Sequence, residues 1–127
     1  MKIALVGFGK MGHMIKTCAE QCGHEVVATI DPIAQDASVV VPAGDSEAVA
    51  RAVKSSGAEG IIEFSHPSAV MANIHALLPL GIPLVVGTTG WNDKISEVEK
   101  LASECGGVIM TSSNFSIGVN MFYKIVE

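Results

Sequence analysis

Along this chain, short apolar runs alternate with stretches in which apolar residues recur every three or four positions. Six runs have strand length: KIALV (2–6), EVVATI (25–30), SVVV (38–41), GIIEF (60–64), PLVVG (83–87) and GVIMT (107–111). Runs this short and this continuously apolar are what strands buried on both faces look like. The stretches between them predict helices. Residues 10 to about 22 form the first. Asp45 is placed to cap a second that reaches about Ser56, with Val49 and Val53 on one face. Residues 67–80 predict a third, with Pro67 in its first turn, an apolar face of Val70, Ile74, Leu77 and Leu78, and Gly81 as its stop. Residues 92–105 predict a fourth, capped by Asn92 or Asp93, with Ile95, Val98 and Leu101 at helical spacing.

Strands that mostly alternate with helices imply a parallel sheet covered on both faces, because parallel neighbours need a crossover. The expected fold is α/β: one doubly wound, mainly parallel, Rossmann-like sheet in a three-layer α/β/α domain. In such sheets ligands bind beyond the carboxyl ends of the strands. The residues just after each apolar run are therefore the place to look for chemistry.

The first run ends in GFGKMG, which places Gly7, Gly9 and Gly12 between a strand and a helix. G-x-G-x-x-G alone is a weak signal, and this context strengthens it. Gly7 allows the tight turn, Gly9 lets the backbone approach a pyrophosphate, and Gly12 lets helix and strand pack closely. The free amides and dipole of the helix start favour phosphate charge. The second run ends at Asp31, where an acid accepts hydrogen bonds from the ribose hydroxyls of NAD. Asp31 before Pro32 also fits a local Asx turn, and the two uses are compatible. Pro32 and Ile33 bring no positive charge for a 2′-phosphate, which leans towards NADH over NADPH, although Lys10 lies in the loop opposite.

The fourth run ends in EFSHP, where Phe64 is placed to pack on a cofactor ring. His66 is a lone histidine at a loop–helix junction, more often a partly exposed polar residue than a catalyst. The fifth ends in GTTGW. Gly87 and Gly90 bracket Thr88 and Thr89, a donor-rich turn suited to an amide or a carboxylate, or a plain turn whose hydroxyls bond their own backbone. The sixth ends in the polar, Gly-containing TSSNFSIGVN.

Taken together, GFGKMG, EFSHP, GTTGW and SSNFSIGVN resemble dihydrodipicolinate reductase, the NAD(P)H enzyme of the diaminopimelate route to lysine. The pairing of GTTG plus an aromatic with NFSIGVN is the specific part. The resemblance covers the whole chain but only the N-terminal half of a typical member. It implies that Gly7, Phe8, Gly9, Lys10, Met11 and Gly12 hold the pyrophosphate and Asp31 the adenosine ribose. It places Phe64, Ser65, Gly87, Thr88 and Thr89 near the nicotinamide, with Thr89 also facing the substrate carboxylate. Ser112, Ser113, Asn114 and Phe115 line the nicotinamide amide pocket. Glu63 stands where the family usually has Asp, so the loop after it is expected to shift.

The family's adjacent-histidine motif, lysine and P-S-G-T-A segment do not occur in this sequence. No catalytic residue is therefore expected in this chain. Residues 1–116 are read as the dinucleotide-binding domain. Residues 117–127 are read as the start of a connecting helix to a substrate and tetramerisation domain beyond the truncation. The full-length enzyme is expected to be a homotetramer acting on a small dicarboxylate, and the fragment a cofactor-binding monomer without turnover. The alternatives are a stand-alone NAD(P)-binding sensor and the N-terminal domain of another two-domain dehydrogenase, acting on a semialdehyde or a sugar.

Composition narrows the picture further. With 127 residues the chain is one domain's worth, and 49% are hydrophobic against 17% charged. No apolar run approaches the ~20 residues of a membrane span. The N-terminal run is too short and too glycine-broken for a signal peptide, so a cytoplasmic protein is expected. The net charge of −5 and the scattered basic residues argue against nucleic acid. Cys18, Cys22 and Cys105 lack the spacing of a metal site and are expected to be small buried hydrophobes in a reducing compartment.

Overall fold

The computed structural model describes residues 1–42 and 44–111. Ser112 to Phe115 and the expected connecting helix at 117–127 lie outside the described residues. Among the described residues six strands form one sheet: β1 (Lys2–Val6), β2 (Glu25–Asp31), β3 (Val39–Val40), β4 (Gly60–Glu63), β5 (Leu84–Val86) and β6 (Ile109–Thr111). Four α-helices connect them: α1 (Lys10–Gln21), α2 (Ser46–Ser56), α3 (Val70–Leu77) and α4 (Ile95–Cys105). Every strand pair is parallel, and the order across the sheet is β3-β2-β1-β4-β5-β6.

That order explains which helix covers which face. Parallel crossovers are right-handed. The chain moves one way from β1 to β3 and the other way from β3 through β4 to β6. Helices made while moving in opposite directions must lie on opposite faces. Accordingly α1 buries Ile15 and Ala19 against Ile3, Leu5, Ile62 and Val85 on one face. On the other, α2, α3 and α4 bury Val49, Val53, Val70, Ile74, Leu77 and Val98 against Ala4, Val6, Ile61, Leu84 and Val86. Alternate residues of β1, β4 and β5 thus serve opposite cores, which is why these strands carry almost no polar side chain. The direction reverses between β1 and β4, and a cleft opens beyond their carboxyl ends.

Local chemistry sets the helix boundaries. The Asp45 carboxylate accepts from the Ala48 amide at 3.1 Å, the expected cap of α2. α3 starts three residues later than Pro67, because a turn in which the Ala69 and Val70 amides both bond the His66 carbonyl comes first. The four apolar residues expected on its face are all fully buried. It ends at Leu77 and tightens into a 3-10 turn at Leu78–Leu80, where Pro79 lacks the amide an α-turn needs. α4 is likewise preceded by a 3-10 turn, Asn92–Lys94. The cap position of α4 is Lys94, which makes no side-chain bond, and so falls past the expected positions Asn92 and Asp93.

The cysteine expectation is overturned. Cys22 and Cys105 are exposed and Cys18 is half-buried, all three as free thiols. Cys22 lies just past the end of α1 and Cys105 is the last residue of α4, positions where the core-facing stripe has already ended. No described helix is long and apolar enough to cross a membrane. Among the described residues no cluster of three His, Cys, Asp or Glu stands together as a metal site would require.

Candidate functional site

Three strand tips converge at the reversal point, and glycines let them do so. Gly7 follows β1 with φ +97°, and a β-carbon there would stand 2.2 Å from the Phe64 carbonyl oxygen. Its amide bonds the Ile30 carbonyl at 2.7 Å, so the turn is tied to β2 as well. At Gly12 a β-carbon would meet the Gly7 carbonyl oxygen at 2.5 Å, so the first turn of α1 rests directly on the loop. These are the tight turn and the close packing that the glycine spacing predicts. Gly9 differs: nothing lies within 4 Å of its missing side chain. It is the N-cap of α1 and supplies no side-chain bond, and no acid stands in the first turn. The positive end of the helix dipole therefore faces open space, beside the exposed Lys10 and Met11.

Asp31, the last residue of β2, holds this turn from below. Its Oδ1 accepts from the Phe8 amide at 2.8 Å, and its Oδ2 accepts from the Ile33 and Ala34 amides at 2.9 and 2.8 Å. The Asx turn is thus present, together with a long-range bond to the glycine loop. Partial burial pushes the Asp31 carboxyl up, and the Phe8, Ala34 and Ile33 amides outweigh it, so the group sits below its ordinary value. A carboxylate has about four acceptor positions, of which three are taken by backbone.

His13, one turn into α1, stacks on the buried Phe8 ring with centroids 3.8 Å apart. Its Nδ1 lies 2.7 Å from the Gly9 carbonyl and its Nε2 2.5 Å from Asp36 Oδ2. Both partners are acceptors, so this setting favours the protonated ring, in which both nitrogens donate. The Asp36 bond first, then the Gly9 carbonyl, raise its pKa above the ordinary 6.5. The ring and its Asp36 partner thus stand beside the helix start.

A cavity of about 900 Å3 runs from this turn along the β2 and β3 side of the cleft. Gly7, Phe8, Gly9, Asp31, Phe64 and Ser65 line it, so six of the expected site residues share one space. Its walls also include Ile33, Val41 and Pro42, then Ser46 and Val49 of α2 and Ala69, Ala72 and Asn73 beside or on α3. The volume and mainly apolar lining suit a nucleotide-sized ligand. His66 also lines the cavity, and its Nδ1 is occupied locally by Ser68, as its lone position suggests.

Gly87, Thr88 and Thr89 stand at the neighbouring tip of β5, outside that lining. Thr89 is exposed. Phe64 joins the two regions, because its ring fills the space a side chain on Gly87 would need, with ring carbons 1.9 Å from that β-carbon position. Beneath them lies Glu63, fully buried. It receives the hydroxyls of Ser65 and Thr88, the Asn73 side-chain amide at 3.0 Å and the Ser65 backbone amide at 3.4 Å. The Ser65 amide also donates to Thr88 Oγ1 at 2.9 Å. Trp91 Nε1 donates to the Thr88 carbonyl at 2.7 Å. The longer carboxylate is accommodated by this shell of donors.

Asn73 and the group formed by His13, Phe8 and Asp36 were not singled out from sequence. One signal for Asn73 was available: it is a polar residue inside the buried stripe of Val70, Ile74 and Leu77.

Residues 1–115 match the family model described as dihydrodipicolinate reductase, N-terminus. The 4-hydroxy-tetrahydrodipicolinate reductase of Christiangramia forsetii is 30% identical over 125 residues, covering 98% of this chain and 46% of that protein. That of Methanococcus maripaludis strain C5 is 32% identical over 142 residues, covering 100% of this chain and 53% of that protein. The chain spans about half the length of these curated relatives. Among solved structures, the WlbA dehydrogenase of Thermus thermophilus in complex with NAD and alpha-ketoglutarate superposes with TM-score 0.68 at 18% identity, over 88% of this chain and 41% of that one. A hyperthermophilic archaeal homoserine dehydrogenase in complex with NADPH gives 0.66 at 15%, over 88% and 43%. At these identities the likeness establishes the fold alone, a Rossmann-like α/β architecture. With the family model matching nearly the whole described chain, this protein belongs to the dihydrodipicolinate reductase family, whose N-terminal region it contains.

Proposed function

We propose that this chain is the dinucleotide-binding part of a 4-hydroxy-tetrahydrodipicolinate reductase, reducing 4-hydroxy-tetrahydrodipicolinate to tetrahydrodipicolinate on the diaminopimelate route to lysine. The observation that carries the reading is the bond from the Phe8 amide to Asp31. It holds an acid against a glycine turn whose helix start is uncapped and open, the combination a pyrophosphate and an adjoining ribose require. The open space at Gly9 fits the group.

In this reading Gly7 to Gly12 hold the pyrophosphate, with the α1 dipole adding positive potential and the His13 ring, when protonated, standing beside it. Asp31 takes a hydroxyl of the adenosine ribose. Phe64, Ser65, Gly87, Thr88 and Thr89 lie at the nicotinamide end, with Ser112, Ser113, Asn114 and Phe115 expected at the amide of that ring. Thr89, exposed at its tip, is free to meet the substrate carboxylate. The reduced nicotinamide supplies hydride, and the protein orients it and keeps water from its face. Acid catalysis and most substrate contacts are assigned to a second domain following residue 116, which also assembles the homotetramer; this chain alone is a cytoplasmic-type soluble monomer. NADH is favoured over NADPH, because Pro32 and the 83%-exposed Ile33 offer no cation at the ribose.

The purified chain should bind NADH in a fluorescence titration and show no reductase turnover. Absence of binding to both NADH and NADPH overturns the cofactor reading. Turnover near that of an intact relative overturns the division of labour between the domains.

A further inference from the structure

We infer that Glu63 is a positioning residue, a buried clasp that fixes the β4 and β5 tips as one unit, and that the Ser65 and Thr88 hydroxyls serve this clasp and not the nucleotide. The inference rests on the cofactor reading for its binding consequences. The geometry of the clasp stands without it.

Glu63 is an unusual residue to find fully buried. Among the described residues it makes no ion pair. Each of its hydrogen-bond partners among the described residues donates to it. Oε2 takes the Ser65 hydroxyl and the Asn73 amide, and Oε1 takes the Thr88 hydroxyl and the Ser65 backbone amide. Those donors come from three places in the chain: the loop after β4, the helix α3 and the loop after β5. One carboxylate therefore joins three segments that the backbone ladder leaves free beyond the strand ends.

The hydroxyls have little left to offer a ligand. Thr88 Oγ1 donates to Glu63 and accepts from the Ser65 amide. Ser65 Oγ donates to Glu63 and accepts from Asn73 Nδ2 at 3.3 Å. Thr88 is 8% exposed. What the two tips present outward is the Phe64 ring, seated on Gly87, and the backbone beyond Thr88. Phe64 packs in turn against Gly7, so the setting of Glu63 reaches the glycine loop through one intervening residue.

Glu63→Gln keeps the size but replaces one acceptor with a donor, which then faces other donors. Thr88→Val removes one arm of the clasp. The test uses the full 127-residue chain and two readouts. In hydrogen exchange without ligand, the Ser65 amide should lose protection about tenfold in each variant. In NADH titrations followed by energy transfer from Trp91, each variant should raise Kd about tenfold, and the double variant no more than either alone. Losses that multiply in the double variant mean that the Thr88 hydroxyl touches the nucleotide independently, and overturn the inference. Unchanged Ser65 protection in the variants also overturns it. If wild type binds no dinucleotide, the cofactor reading fails and the exchange data still decide the clasp. If Glu63→Gln does not fold, Ser65→Ala and Thr88→Val together give the same comparison, with Glu63 retained.

Discussion

The Phe64 carbonyl oxygen occupies the space beside Gly7 so fully that any β-carbon on Gly7 would lie 2.2 Å from it. The positive φ of Gly7 adds a second obstacle to side chains. Gly7→Ala should therefore cost about 2–4 kcal/mol and lower Tm by roughly 10 °C, as read by thermal unfolding. NADH binding should fall in parallel, because relief of the clash pushes the glycine turn away from β4. A variant with native Tm and native affinity would contradict this packing.

Asp31→Ala separates two uses of one carboxylate. It removes the acceptor for three backbone amides, so the protein should lose about 1–3 kcal/mol in denaturant unfolding. It also removes the proposed ribose contact, so NADH should lose more affinity than NADPH. Equal losses for the two cofactors would undo the ribose assignment. The pH dependence has a definite sign. The Asp31 pKa is depressed in the folded protein, so its contribution is present above the ordinary 3.8 and is lost as pH falls through the lower folded value.

His13 carries the opposite sign. Its folded pKa is raised, so the stabilisation from the Asp36 pair is complete below 6.5 and disappears as pH rises through the folded value. An NMR titration of the His13 ring should show a midpoint above 6.5, and Asp36→Asn should bring it down. Dinucleotide affinity should weaken over the same interval, because the lost charge is the one beside the helix start.

The strands and the glycine turn were legible because their signals are local. An apolar run bounded by glycine, or an acid one residue before a helix, is contained within a few positions. KIALV became β1 at its expected bounds, and Asp45 caps α2 as its position implies. The third strand shrank to Val39–Val40 because Ser38 and Thr29 pair through side chain and backbone in place of the ladder. The clasp was not legible, since Glu63 and Thr88 are 25 residues apart and meet only because β4 and β5 are neighbours. The same holds for His13 and Asp36, 23 apart. Single residues after strand ends could be nominated from sequence, but their mutual bonds follow from strand order, which pattern alone leaves open.

The open start of α1 sets stability against function. Gly9 has room for a side chain, with nothing within 4 Å of the β-carbon position. A serine there would cap the helix and, on general grounds, stabilise it by a few tenths of a kcal/mol. Its hydroxyl would also satisfy the amides that are proposed to receive the pyrophosphate. Gly9→Ser should therefore give a protein that melts slightly higher and binds NADH less well, with the thermal upshift caused by the dinucleotide reduced to match. The helix is left unfinished by its own sequence, and in the proposed reading the nucleotide is the group that completes it.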